Sequence, residues 1–130
     1  MSEPLFGNNL YKHDLNVISI RAMKGDRLGE FEEFTLLAVR ALGDHTYAVP
    51  VQRYVEQATA RPVSMGAIYA ALARLEDKGF VRSSMGEPTA RRGGKPKRLF
   101  RVTPIGLKTA RDLHRVRERI WNAITEPSRA

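Results

Sequence analysis

The chain has no cysteine among its 130 residues, which removes disulfides and thiolate metal sites from consideration. No apolar run approaches the roughly 18 residues that a membrane-spanning helix requires. The three histidines, His13, His45 and His114, are scattered and do not reproduce the spacing of a helical metal site. No glycine-rich phosphate loop joins a strand to a helix, no G-x-S-x-G elbow occurs, and no close carboxylate pair stands in a recognisable cleft, so the residue patterns of enzymes are missing. The opening MSEPLFGNNLYKHDLNVISI lacks a basic region followed by a clean apolar run, which argues against a signal peptide. The expectation is a cytoplasmic, non-enzymatic protein that needs no metal or cofactor.

Positive charge is what the chain has in excess. The formal net charge is +8, and the segment Gly86–Arg101, with six basic residues and one acid, supplies +5 of it. Pro88, Gly93, Gly94 and Pro96 keep the middle of that segment out of helix, while apolar and β-prone residues flank it. This is the layout of a β-hairpin with a cationic tip, and a cationic finger on a small domain points to a polyanion, most commonly DNA. The 42% hydrophobic content is enough for one core. A membrane surface is disfavoured, because the basic segment carries no apolar residues in helical register.

Periodicity supplies the remaining elements. The spacing of Leu10, Leu15, Ile18 and Met23 suggests a short helix within an N-terminal arm of residues 1–27. Phe31 to Leu42 reads as a helix whose buried stripe is Phe31, Phe34, Leu37, Ala38, Ala41 and Leu42. Its first turn holds Glu30, Glu32 and Glu33, where the helix macrodipole favours negative charge, and Gly43 stops it. Val49 to Thr59 forms a second helix with Pro50 in its first turn and Val51, Val55 and Ala58 on its apolar face, after which Val63 is expected to make a single strand rung. Ser64 caps a third helix, buried through Met65, Ile68, Leu72 and Leu75 and closed by Lys78 and Gly79. Phe80–Met85 and Leu99–Val102 are the strands around the basic tip. Thr103 and Pro104 open a long helix that reaches about Ile124 and stops at Pro127, with Leu113, Val116, Ile120 and Ala123 repeating like a short coiled-coil seam.

Three helices followed by a hairpin, with a third helix whose outer side is small and polar, make a winged helix-turn-helix, an α+β fold that is mainly α. The second helix of that motif enters the major groove, and here it is the Ser64 helix. The likeness extends to a family. Leu28-Gly29-Glu30-Phe31-Glu32, Tyr47, the run Ser64 to Tyr69, the run Leu72 to Val81, the segment Gly86 to Phe100 and the junction Val102 to Gly106 together resemble PadR-type transcriptional regulators. The departure is Ala48, where family members often have glycine. The resemblance implies a dimeric, operator-binding regulator, usually a repressor relieved by a small ligand, with a winged domain at residues 28–103 and a dimerisation helix and tail at 104–130. A winged-helix module for protein or RNA contacts, without operator binding, is the alternative.

On this reading the double-stranded DNA contacts come from two places. In the third helix, Ser64 either caps the helix or donates to a phosphate, and Gly66 lets the helix start approach a phosphate or merely gives packing clearance. Tyr69 can place its hydroxyl on a phosphate, Ala67 and Ala70 let the helix sit deep, and Arg74 reaches a phosphate or pairs with Asp77 or Glu76. In the wing the candidates are Arg91, Arg92, Lys95, Lys97 and Arg98, with Gly93-Gly94 shaped to enter a minor groove. Because the third helix is poor in base-reading side chains, phosphate and wing contacts are expected to supply much of the affinity. The homodimer interface is expected at Leu113, Val116, Ile120, Trp121 and Ile124. Resemblance to short PadR-type proteins further implies that Trp121 could line a pocket for a small aromatic or phenolic effector. Arg111, Arg115, Arg117 and Arg119 around it argue against a cationic ligand.

Overall fold

The computed structural model describes residues 27–87 and 95–125. The expected arm, apart from Arg27, the wing-tip residues Arg91, Arg92, Gly93 and Gly94, and the stop at Pro127 lie outside the described residues. Within them the order is α1 (Glu30–Ala41), α2 (Ala48–Thr59), α3 (Met65–Asp77), β1 (Val81–Met85), β2 (Arg98–Val102) and α4 (Pro104–Thr125). Four helices and a two-stranded antiparallel hairpin give the expected winged helix-turn-helix with a long C-terminal helix.

The core gathers where the three short helices meet the hairpin. Leu36 and Val39 of α1, Val51 and Val55 of α2, Ile68, Leu72 and Leu75 of α3, and Phe80 and Val81 are all at most 1% exposed. Each such side chain stabilises the fold by about 1.5–3 kcal/mol through burial. On α3 the expected face is the buried one at Ile68, Leu72 and Leu75, joined by Ala71, while Met65 is only half-buried.

Helix α1 corrects its expected stripe. Ala38 is buried, but Leu37 and Leu42 are 43% and 37% exposed and Ala41 is exposed, while Glu32, Glu33, Thr35, Leu36 and Val39 turn inward. Two overlapping stripes fit this helix. The inner one wins because its polar members find partners: Thr35 Oγ1 donates to the Phe31 carbonyl at 2.9 Å, and both glutamates meet basic side chains of other helices. Phe34, Leu37 and Ala41 instead line, with Tyr54 and Ala58 of α2, an open groove of about 660 Å³.

The extra strand rung is also elsewhere. Thr46, not Val63, bridges Phe100 of β2, and their backbones exchange hydrogen bonds of 2.7 and 3.3 Å. Val63 is satisfied by α2 side chains: its N–H donates to Glu56 and its carbonyl accepts from Gln52. The loop before Thr46 is forced by Gly43, Asp44 and His45, all at positive φ. That turn aims the Asp44 carboxylate at the Val102 N–H, 3.0 Å away, where it stands in for a strand partner.

Strands β1 and β2 pair from Val81 with Val102 to Met85 with Arg98. The chain then turns into α4 through Thr103, whose hydroxyl accepts from the Gly106 N–H and donates to the Gly79 carbonyl. Gly106 is obligatory here: a Cβ would overlap the Phe80 carbonyl oxygen and stand 2.9 Å from its carbon. This close approach seats the start of α4 on the hairpin.

Candidate nucleic-acid interface

The outer face of α3 is small, flat and accessible. Ser64, Gly66, Ala70 and Arg74 are exposed, Ala67 is half-exposed, and Tyr69 is 57% exposed. Ser64 Oγ accepts the Ala67 N–H at 3.0 Å, so it is the helix cap. Capping uses the oxygen as acceptor, which leaves the O–H proton available as a donor. The two readings of Ser64 are therefore compatible. A Cβ on Gly66 would meet nothing nearer than Ser64 Oγ at 4.0 Å. Packing among the described residues does not require the glycine. The first intrahelical bond runs from Ile68 N to Ser64 O, so the N–H groups of Met65 and Gly66 precede the hydrogen-bonded ladder at the positive end of the helix.

Arg74 has a partner that its own helix does not supply. Its Nε donates to Glu32 Oε2 on α1 at 2.7 Å, and Lys78 Nζ donates to Glu32 Oε1 at 2.6 Å. The expected local pairings with Asp77 and Glu76 are not the ones formed. Burial alone would push the Glu32 carboxyl up, but the Lys78 and Arg74 hydrogen bonds and charges outweigh it and hold the carboxyl below its ordinary value. Glu32 thus pins the C-terminal half of α3 to the first turn of α1. The Arg74 side chain stays 52% exposed.

Three of the five wing candidates fall among the described residues. Lys95 is exposed. Lys97 holds its ammonium 4.6 Å from the centre of the Tyr47 ring, a cation–π contact, and its carbonyl accepts the Gly86 N–H at 2.7 Å, closing the hairpin base. Arg98 donates to Ser83 Oγ, which donates to Glu76 of α3. Arg98 therefore braces the wing against α3 while remaining exposed.

One feature of the wing escaped the sequence reading. The register sets Arg82 directly opposite Arg101, both exposed. Like charges facing each other across an antiparallel pair are destabilising, and an anion laid across them would relieve the repulsion. The signal was available in the alternation of each strand, but only the register turns two separated arginines into a pair.

Along α4 every residue from His114 to Thr125 is exposed. Val116, Ile120, Trp121 and Ile124 are 38%, 58%, 64% and 61% exposed, so an apolar stripe runs down a helix with nothing packed on it among the described residues. Leu113, expected in the same stripe, is half-buried and packs against the chain's own core. Among the described residues no His, Asp and Glu side chains cluster to hold a metal, and no helix is long and apolar enough to cross a membrane.

Comparison with known proteins agrees with this geometry. Residues 36–112, more than half of the chain, match the family described as "Transcriptional regulator PadR-like family". A solved transcriptional regulator from Clostridium thermocellum aligns at TM-score 0.57 and 23% identity, covering 74% of this chain and 88% of its own. A PadR-like transcription factor from Bacteroides fragilis aligns at TM-score 0.62 and 15% identity, covering 82% and 96%. A PadR-like transcriptional regulator from Bacillus cereus aligns at 0.58 and 15%, covering 85% and 98%. No curated protein sequence matches this one significantly. The family and these neighbours are transcriptional regulators, not enzymes.

Proposed function

This chain belongs to the PadR-like family of transcriptional regulators, and on that premise we propose that it is a dimeric repressor that binds a palindromic operator and is released by a small effector. DNA-binding transcriptional regulation is what the family does. The observation that supports this chain's own mode of binding is Gly66, exposed at the start of α3 with no neighbour among the described residues that a methyl group would strike. A glycine that internal packing does not need, at the N–H-rich end of the helix behind a capping serine, fits the close approach of a phosphate.

Around that point the contacts divide by type. Ser64 and Tyr69 donate hydroxyls to phosphates, and Ala67 and Ala70 allow α3 to sit deep in the major groove. Lys95, Lys97 and Arg98, with Arg91 and Arg92 in the basic segment, supply the salt-sensitive part of the affinity, and Arg82 with Arg101 adds a phosphate site on the outer wing face. Arg74, half-exposed and steered by Glu32, reaches the backbone at the edge of the groove. The domain of residues 28–103 binds DNA, and the helix of 104–130 joins two copies through Val116, Ile120, Trp121 and Ile124. An aromatic or phenolic effector would stack on exposed Trp121, and the nearby arginines suit an anionic one.

The test is a gel shift of the full chain against the DNA upstream of its own gene, with unrelated DNA and RNA as competitors. Retention that RNA displaces as well as operator does would favour the module for RNA contacts and overturn the operator reading. The log–log salt slope should fall by about 0.9 for each phosphate contact removed in an R91A/R92A/K95A variant; an unchanged slope would remove the wing from the interface.

A further inference from the structure

Two neighbouring carboxylates in α1 reach in different directions. Glu32 is tied to α3 through Arg74 and Lys78, and Lys78 also donates to the Arg27 carbonyl at 2.7 Å. Glu33, 3% exposed, faces the other way, and its Oε1 lies 2.6 Å from Arg117 Nη1 on α4. Among the described residues this is the one ion pair that joins α4 to the rest of the chain. Glu33 Oε1 is fully buried yet receives no aligned N–H, so Arg117 acts on it as a nearby charge. A buried carboxylate without such a partner is strongly disfavoured, and Glu33 therefore holds Arg117 in place. Arg117, its side chain 55% exposed, sits within the span of α4 that is exposed from His114 onwards.

We infer that Glu33 and Arg117 are positioning residues that set the spacing between DNA half-sites. The inference rests on the reading of α4 as the dimer helix. If two copies join along α4, the angle at which α4 leaves each winged domain fixes the distance between the two α3 helices. The hinge at Thr103 and Gly106, with Thr109 and Ala110 buried and Leu113 packed on the core, seats α4 as far as Leu113. The Glu33–Arg117 pair extends that attachment about one turn beyond Leu113, to the start of the exposed span, and narrows the range of angles at which the rest of α4 leaves the domain. Glu32, one residue away, fixes α3 to the same turn of α1. The first turn of α1 is thus a rigid joint between the helix that reads DNA and the helix that sets dimer geometry.

The experiment uses the full chain and an operator obtained by selection from random DNA. The spacer between half-sites is lengthened or shortened by one base pair, which moves a half-site by about 3.4 Å and rotates it by about a tenth of a turn. The wild type is expected to lose roughly tenfold or more in affinity at either altered spacing. E33Q and R117Q, both confirmed as dimers by light scattering, are expected to lose only about two- to threefold. The two variants shift net charge in opposite directions, so a shared flattening of the ratio does not come from charge. R117Q alters an exposed side chain and serves if E33Q fails to fold. A steep wild-type profile reproduced by the variants overturns this inference and leaves the dimeric-repressor reading intact. A wild type indifferent to the second half-site overturns both.

Discussion

Glu32 and Arg74 lie 42 positions apart in sequence, yet the carboxylate of one receives the guanidinium Nε of the other at 2.7 Å. The contact joins α1 to the exposed side of α3, with Lys78 completing the site. Removing the charge in E32Q should lower stability by about 1.5–3 kcal/mol, the range for hydrogen bonds to charged groups. The pH dependence has a definite sign. The Glu32 carboxyl is held below its ordinary value in the folded chain, so its contribution is complete above the unfolded carboxylate range and fades as the pH falls below about 4. Thermal midpoints of wild type and E32Q should therefore converge in acid. A gap that stays constant down to pH 3 would mean that Glu32 is not stabilised as the anion.

Gly66 separates stability from binding. Alanine there has open space and a better helix propensity, so G66A should leave the melting temperature unchanged or raise stability by up to about 1 kcal/mol. On the proposed mode of binding the added methyl group should nevertheless weaken operator binding, because it would stand in the path of the phosphate. Equal binding by G66A in a titration would show that the glycine is incidental.

Gly106 has the opposite character. The Cβ of G106A would collide with the backbone of Phe80, and backbone cannot give way as a side-chain tip does. Overpacking of this kind destabilises by about 1–3 kcal/mol or more, which chemical denaturation would register as a lower midpoint. A midpoint equal to the wild type would show that α4 can lift off the hairpin without loss.

The exposed stripe of α4 predicts self-association. I120D should shift the chain from dimer to monomer in sedimentation and weaken operator binding with it. Trp121, 64% exposed in the single chain, should emit at shorter wavelength in the dimer than in the I120D variant. Identical emission and mass for both proteins would place the dimer contact elsewhere.

Much of the architecture was legible in the sequence, because it depends on neighbours along the chain. The periodicity of Ile68, Leu72 and Leu75, the Ser64 cap, the Thr103-Pro104 helix start and the glycine stop after α3 are local effects of hydrophobic spacing and backbone hydrogen bonding, and the structure follows them within a residue or so. The order of these elements was enough to specify a winged helix-turn-helix and to point to DNA.

Tertiary structure decided what local rules leave degenerate. Hydrophobic periodicity along α1 favours the stripe of Phe34, Leu37 and Ala41, yet the face that turns inward carries Glu32, Glu33 and Thr35 beside Leu36 and Val39. The choice falls to Arg74, Lys78 and Arg117, which lie on other helices and make burial of Glu32 and Glu33 tolerable. The strand rung went to Thr46 because Asp44 and His45 bend the chain toward Phe100, whereas the backbone of Val63 was already satisfied by α2. Arg82 and Arg101 became a facing pair only through strand register. In each case the deciding partner is distant in sequence, and its contribution exists only once the chain has closed around it.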